Sequence, residues 1–180
     1  MGRIDESKSF IPVRIAVLTV SDTRTPDDDR SGDVLVERLT ADGHILAGRM
    51  ILPDERAMIA QQLRQWIDDD GVDVVLSTGG TGLTGRDVTV EAHRDVYEKE
   101  IEAFATVFTM VSMQKIGTSA VQSRATGGVA GGTYLFALPG SPGACKDAWD
   151  EILHWQLDFR HRPCNFVEIM PRLDEHLRRK

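Results

Sequence analysis

The sequence predicts an α/β fold of three layers, in which a mostly parallel sheet is wrapped by helices and makes one antiparallel hairpin excursion. Three observations predict it. Arg14 to Ser21 (RIAVLTVS) is a continuous apolar run rich in β-branched residues, the pattern of a strand covered on both faces. Strand-like runs then alternate with helical periodicities, which implies parallel strands joined by crossover helices. Gly131-Gly132 separates Ser123–Ala130 from Thr133–Leu138, the two-residue signal of a hairpin.

Taken in order, the first strand ends at Ser21-Asp22-Thr23 and an acidic stretch to Arg30. Ser31-Gly32-Asp33 opens a helix carrying Val34, Leu35 and Leu39, closed by Gly43. A second strand runs from His44 to Leu52, interrupted by Gly48. After Pro53-Asp54-Glu55, Ile59, Leu63, Trp66 and Ile67 recur at helical spacing as far as Asp70. Val72 to Leu76 is the third strand. Thr89 is read as the N-cap of a short helix over Val90–Lys99, followed by a more apolar one from Ile101 to Lys115. The hairpin comes next, and then the last long helix, with Ser141 as N-cap and Pro142 at the first helical position. With 180 residues and no internal linker, the chain reads as a single domain, 1–180. An N-terminal arm, 1–12, and a basic tail, 172–180, are expected to be peripheral.

Composition narrows the function classes. With 41% apolar and 27% charged residues the chain reads as an ordinary globular protein. It has no apolar run of membrane-spanning length, and Met1 to Phe10 lacks the apolar stretch of a signal peptide, so a cytoplasmic location is expected and no membrane partner. A formal charge of −7 argues against a nucleic-acid surface. Cys145 and Cys164 fit neither a CxxC pair nor a disulfide framework, and His44, His93, His154, His161 and His176 have no zinc-ligand spacing. Each histidine is expected at the surface or in a cap.

The chemistry is concentrated in Leu76-Ser-Thr78-Gly79-Gly80-Thr81-Gly82-Leu-Thr-Gly85-Arg86-Asp87-Val-Thr89. Four glycines in seven residues after a strand let backbone amides approach an anion closely. Gly80, Gly82 and Gly85 also satisfy G-x-G-x-x-G, but a first strand and two helices precede them, whereas the dinucleotide fingerprint sits in the first βα turn. An NAD(P)-dependent oxidoreductase therefore rests on spacing alone, and no Gly-Lys-Ser/Thr marks a Walker loop.

In an open parallel sheet the ligand crevice lies outside the carboxyl ends of the strands. Those ends carry Ser21-Asp22, Asp54-Glu55, the glycine loop with Asp87, and Pro139-Gly140-Ser141-Pro142. Three aspartates beside two amide-rich loops suit a magnesium-bound polyphosphate, with carboxylates toward Mg²⁺ and amides and Arg86 toward phosphate oxygens. Phosphoryl or nucleotidyl transfer then needs alignment and charge neutralisation rather than a protein nucleophile. Asp54 also fits a helix N-cap and Asp22 a loop brace. Ser123-Arg124 fits either a strand-edge ion pair or a ligand contact.

These residues resemble the MoaB/MogA family of molybdenum cofactor biosynthesis proteins, which has a Rossmann-like fold. The resemblance rests on Phe10–Ser21, Ser31-Gly32, Leu76–Asp87, Ile116–Ser119 with Ser123-Arg124, Leu138–Ser141 and Arg162-Pro-Cys-Asn-Phe166, and the first and last of these point to the MoaB branch. It implies molybdopterin binding and, in active members, adenylylation with ATP as co-substrate and Mg²⁺. The catalytic aspartates would be Asp54 and Asp87, with Mg²⁺ at the same pair. Ser21, Asp22, Thr78, Gly79, Gly80, Thr81, Gly82, Arg86, Glu91, Ser123, Arg124, Pro139, Gly140 and Ser141 would bind substrate or phosphate. Some MoaB-type proteins lose these acids, so a non-catalytic molybdopterin carrier is the alternative. Val90 departs from the proline or alanine common before the glutamate matching Glu91. The resemblance further implies a homo-oligomer, a trimer or a hexamer made from trimers, and handover to a MoeA-type protein. Phe104, Phe108 and Met110 fit either that interface or the core.

Overall fold

The computed structural model describes residues 3–178, so the last two residues of the predicted tail lie outside it. Strand β1 (Arg3–Ile4) pairs antiparallel with the distant β8 (His161–Arg162). The main chain of the fold runs β2 (Arg14–Val20), α1 (Arg30–Ala41), β3 (Ile45–Leu52), α2 (Arg56–Ile67), β4 (Val74–Thr78), α3 (Thr89–Arg94), β5 (Lys99–Glu100) and α4 (Glu102–Ile116). A 3-10 turn, Gly117–Gln122, leads to β6 (Thr126–Ala130) and β7 (Thr133–Leu138). The final long helix is composite: α5 (Pro142–Ala148), a π-helical segment Trp149–Leu153, and α6 (His154–Gln156). Short helices α7 (Phe166–Ile169) and α8 (Glu175–Arg178) follow β8.

The six-stranded sheet has the order β3-β2-β4-β7-β6-β5. Its first four strands are mutually parallel, while β6 and β5 each run antiparallel to their neighbours. Parallel strands with crossovers need both faces covered, and the side chains alternate accordingly. Ile15, Val17, Val74, Leu76, Tyr134 and Phe136 pack under α1, α4 and α5, with Phe104, Phe108 and Trp149. Ala16, Leu18, Val75 and Leu135 pack on the opposite face against Ile59, Leu63, Trp66 and Ala92 of α2 and α3. Phe104 and Phe108 are thus core residues of the subunit, whereas Met110 is 61% exposed.

The predicted hairpin forms, and Gly131 and Gly132 both take positive φ (57° and 100°), as a tight hairpin of this length requires. Ser141 accepts the amide of Ala144 and caps α5, with Pro142 just inside. Ala47 has no partner in the β2–β3 ladder, so the interruption near Gly48 is a one-residue bulge rather than a break.

Several expectations are corrected. Thr89 is the first residue of α3, not its cap; Val88 precedes it and no side chain caps that end. Helix α3 stops at Arg94, because the chain must turn back to pair β5 with β6. Asp54 is not an N-cap either, since Glu55 holds that position and makes no capping bond. The histidines are not all peripheral: His44, His93 and His161 are buried. His93 Nε2 lies 2.8 Å from Ser77 Oγ and its Nδ1 3.1 Å from the Tyr97 hydroxyl, and burial lowers its pKa to about 3, so it stays neutral.

One buried ion pair anchors the start of α1. Asp29 is fully buried, caps the helix through the Gly32 amide, and accepts from Thr19 Oγ1 (2.7 Å) and Arg49 (2.8 Å). Burial pushes the carboxyls of Asp29 and Asp73 up, but hydrogen bonds from Arg49, Thr19 and Gly32, and from Arg14, outweigh it and leave both below 3.8. A depressed folded pKa stabilises fully above the unfolded value and loses that contribution as pH falls through the folded one. The urea midpoint is therefore expected to hold near neutrality and to fall below about pH 4. Asp29→Asn lowers the unfolding free energy at neutral pH by about 3 kcal/mol, with a matching drop in the urea midpoint, and flattens the acid limb.

Candidate functional site

The register of the parallel strands sets the site. Val20 pairs with Leu52, Thr19 with Thr78 and Thr78 with Leu138, so the four chain exits at Ser21, Pro53, Gly79 and Pro139 stand side by side at one sheet edge. They enclose a polar cleft of about 250 Å³. Ser21, Asp54, Gly79, Gly80, Arg86, Asp87 and Gly140 reach it, together with Thr19, Arg24 and Ser31.

The glycine loop is shaped by contact. Gly79 (φ 98°) and Gly80 (φ 61°) occupy the left-handed region. A Cβ on Gly79 would stand 2.2 Å from the Val20 carbonyl oxygen, and one on Gly80 would stand 2.5 Å from both Asp54 Oδ1 and Thr89 Oγ1. On Gly82 it would meet Asp87 Oδ2 at 2.8 Å. Gly85 has nothing within 4 Å. The third glycine of a dinucleotide fingerprint is needed for close helix–strand packing, so that spacing has no structural counterpart here.

Among the described residues, the amides of Gly80 and Thr81 meet no protein acceptor. Arg124 fixes the loop from outside. Its Nε donates to the carbonyls of Thr81 (2.9 Å) and Gly82 (3.0 Å), another nitrogen reaches the Asp87 carbonyl (3.3 Å), and the guanidinium pairs with Glu91. The Ser123-Arg124 alternatives thus resolve, in this structure, to a loop staple. Ser123 itself donates only its amide to Ala120.

The three aspartates stand in different environments. Asp22 is paired with Arg86 (2.9 and 3.1 Å) and accepts the Asp54 amide, and the Arg86 guanidinium holds its carboxyl below the usual range. Arg86 also meets Glu55 at 3.1 Å, so both charges of this corner are taken. Burial raises Asp87, but the Thr84 hydroxyl and amide and the Gly82 amide more than reverse it, leaving the carboxyl below its usual value and ionised. Asp54 is different. Burial, and after it the negative charges of Asp22 and Asp87, push its carboxyl above the usual value, outweighing the Arg86 charge and the Asp22 amide, and among the described residues no side chain donates to it.

Thr89 Oγ1 is fully buried and lacks a partner, facing Asp54 Oδ1 across Gly80. A carboxylate with no side-chain donor and an orphan hydroxyl beside ionised Asp87 are donors suited to a hard cation. No cluster of three or more His, Cys, Asp or Glu residues is gathered among the described residues.

Thr78 lines the cleft and also ties its frame, while Pro139 belongs to the frame: Thr78 Oγ1 donates to the Pro139 carbonyl (3.0 Å) and lies 3.1 Å from Cys145 Sγ. Sequence reasoning missed Arg24, Asp29 and Arg49, whose partners are distant in the chain. Only the Asp-rich run Asp27–Asp29 before a helix hinted at the cap.

A family model described as a "probable molybdopterin binding domain" matches residues 16–158. Molybdenum cofactor biosynthesis protein B of Escherichia coli (strain K12) is 49% identical over 160 residues, 89% of this chain and 94% of that protein. The chain belongs to the MoaB/MogA family. Its MoaB character extends to solved structures. One titled molybdenum cofactor biosynthesis protein B is 36% identical with a TM-score of 0.80, covering 96% of this chain and all of that one. The tungsten cofactor synthesizing protein MoaB from Pyrococcus furiosus is 34% identical with a TM-score of 0.71, covering 79% and 91%. The wrapped parallel sheet described above is the MoaB fold. Among the described residues, no helix is long and apolar enough to cross a membrane.

Proposed function

We propose that this protein acts in molybdenum cofactor biosynthesis by binding molybdopterin and adenylylating it with Mg-ATP. An oxygen of the pterin's terminal phosphate attacks the α-phosphorus of ATP, the bond from that phosphorus to the β-bridging oxygen breaks, and pyrophosphate leaves. Asp54 is the observation that carries this reading: a carboxylate with no side-chain donor among the described residues, lining a polar cleft with Asp87 and held above its usual pKa by burial and by the charges of Asp22 and Asp87. Asp54 and Asp87 would hold Mg²⁺, with Thr89 Oγ1 within the same corner, and the cation would neutralise polyphosphate charge. The free amides of Gly80 and Thr81 bind phosphate oxygens, as loops of this geometry do. Arg86 orients Asp22 and Glu55 instead of meeting phosphate directly.

The test incubates pure protein with molybdopterin, ATP and Mg²⁺ under anaerobic conditions and looks for adenylylated pterin and pyrophosphate. Product is expected with all three present and none after chelation by EDTA. Pterin binding without product in any condition would leave the carrier role in its place.

Assembly belongs to the same proposal. Helix α4 exposes Val107, Met110, Met113 and Ile116 on the outside of the subunit, an apolar stripe that a homo-oligomer, trimer or hexamer, would cover. Light scattering is expected to give a multiple of the 20.0 kDa chain, and Met110→Glu to shift it toward monomer. Handover of product to a MoeA-type protein completes the proposed pathway role.

A further inference from the structure

The arginines beside the cleft are not equivalent. Arg86 is held by Asp22 and Glu55, Arg124 by Glu91, and Arg49 by Asp29 and Asp33. Arg24 is the exception. Among the described residues it has no carboxylate partner, and its one side-chain bond goes to the carbonyl of Gly140 at 3.2 Å. A guanidinium carries five N–H donors in a planar fork matched to phosphate oxygens, so most of that capacity remains open in the cleft.

The position is built rather than incidental. The Ser21 hydroxyl accepts the amides of Thr23 and Arg24, each at 3.2 Å, which fixes the turn that leaves β2. From there the half-buried side chain reaches past β4 to the end of β7 and lines the cleft with Ser31, Gly79 and Gly140. The cleft therefore carries both signs of charge: Asp54 and Asp87 line it, and so do Arg24 and the ion-paired Arg86.

We infer that Arg24 recognises the phosphate monoester of the acceptor pterin and thereby sets the specificity of the cleft for phosphorylated over unphosphorylated pterin. This rests on the adenylylation proposed above. A polyphosphate arrives with its own divalent cation, which suits the carboxylates of Asp54 and Asp87. A monoester dianion has no cation of its own and must find its countercharge in the protein, and the unpaired guanidinium supplies it as a bidentate partner.

Equilibrium binding without turnover tests the assignment. Wild type, Arg24→Met and Arg24→Lys are titrated anaerobically with molybdopterin, with phosphatase-treated molybdopterin, and separately with Mg-ATP. Wild type is expected to prefer the phosphorylated form by about 10- to 100-fold, the range for charge-assisted hydrogen bonds. Arg24→Met loses that preference while binding the dephosphorylated form and Mg-ATP within about two-fold of wild type, and the retained Mg-ATP affinity shows that the cleft is still folded. Arg24→Lys, which keeps the charge but not the fork, recovers part of the preference. A wild-type preference that survives in Arg24→Met overturns the inference and leaves the adenylylation proposal standing, as does a loss confined to Mg-ATP. If wild type binds neither pterin form, the pterin proposal fails and this inference with it.

Discussion

Asp54→Asn and Asp87→Asn are each expected to cut adenylylation by at least about 100-fold in kcat/KM, the scale of removing one preorganised electrostatic contact to a transition state. Their stabilities should move in opposite directions. The Asp87 carboxylate is held ionised by Thr84 and Gly82, so the fold is stabilised by its charge. Neutralising it costs about 1 kcal/mol and lowers Tm by about 3 °C. Asp54 has a raised pKa from burial and from its neighbours Asp22 and Asp87. For such a group the ionised form is disfavoured in the folded state, so its contribution is unfavourable above the unfolded pKa and is relieved as pH falls through the folded one. Asp54→Asn should therefore raise Tm at neutral pH while removing activity.

That pairing of lost function with gained stability separates a binding carboxylate from a structural one. Differential scanning fluorimetry at neutral pH with and without Mg²⁺ reads it directly. Wild type gains Tm with Mg²⁺ and nucleotide, and Asp54→Asn does not. Unchanged turnover in either variant would remove that aspartate from the role given to it, and a lower Tm for Asp54→Asn would remove Asp54.

The contrast between the two aspartates could not be read in the sequence, where both simply follow strands. What was legible there was the frame. The β-branched run Arg14–Val20 had to be covered on both faces, Gly131-Gly132 had to turn, and Ser141-Pro142 had to start a helix, because each depends on local chemistry. With the parallel strands placed, the meeting of Ser21, Asp54, Gly79 and Gly140 followed from topology alone. What failed depended on contacts across the chain. Thr89 has the chemistry of a cap, but its amide is taken by the Gly80 carbonyl and its hydroxyl is turned toward Asp54, so it enters the helix instead. The contacts that hold Arg86, to Asp22 and Glu55 at 64 and 31 residues away, could not be read from its local sequence. Arg24 carried no signal of its own in the sequence, since its one side-chain bond among the described residues goes to the carbonyl of Gly140, 116 residues away. Short strands such as β5 and β1 carry two residues each and no pattern from which to be read.

Gly79→Ala is expected to be the most damaging single change in the glycine loop, costing about 3 kcal/mol or more. Two independent penalties coincide there. The φ of 98° is one an L-residue rarely adopts, and the new methyl would stand 2.2 Å from the carbonyl oxygen of Val20. That oxygen belongs to β2, whose ladders to β3 and β4 run on both sides of it, so it cannot move aside as a flexible side chain would. Gly85→Ala is the matched control: it lies in the same loop, has no atom within 4 Å of its Cβ and no left-handed φ, and should fall within about 0.5 kcal/mol of wild type. Gly82→Ala lies between the two, since its methyl would press on Asp87 Oδ2 at 2.8 Å and should cost turnover more than stability. Urea midpoints for the three variants rank the glycines by what the backbone demands, and a wild-type midpoint for Gly79→Ala would overturn the ranking. The order also bears on function: the glycines under constraint are the ones against the cleft, next to Val20, Asp54 and Asp87, and the unconstrained one is the glycine that completes the dinucleotide spacing. The loop is therefore shaped to bring its backbone onto the aspartates at the strand ends, which is the geometry that a phosphate held next to a cation requires.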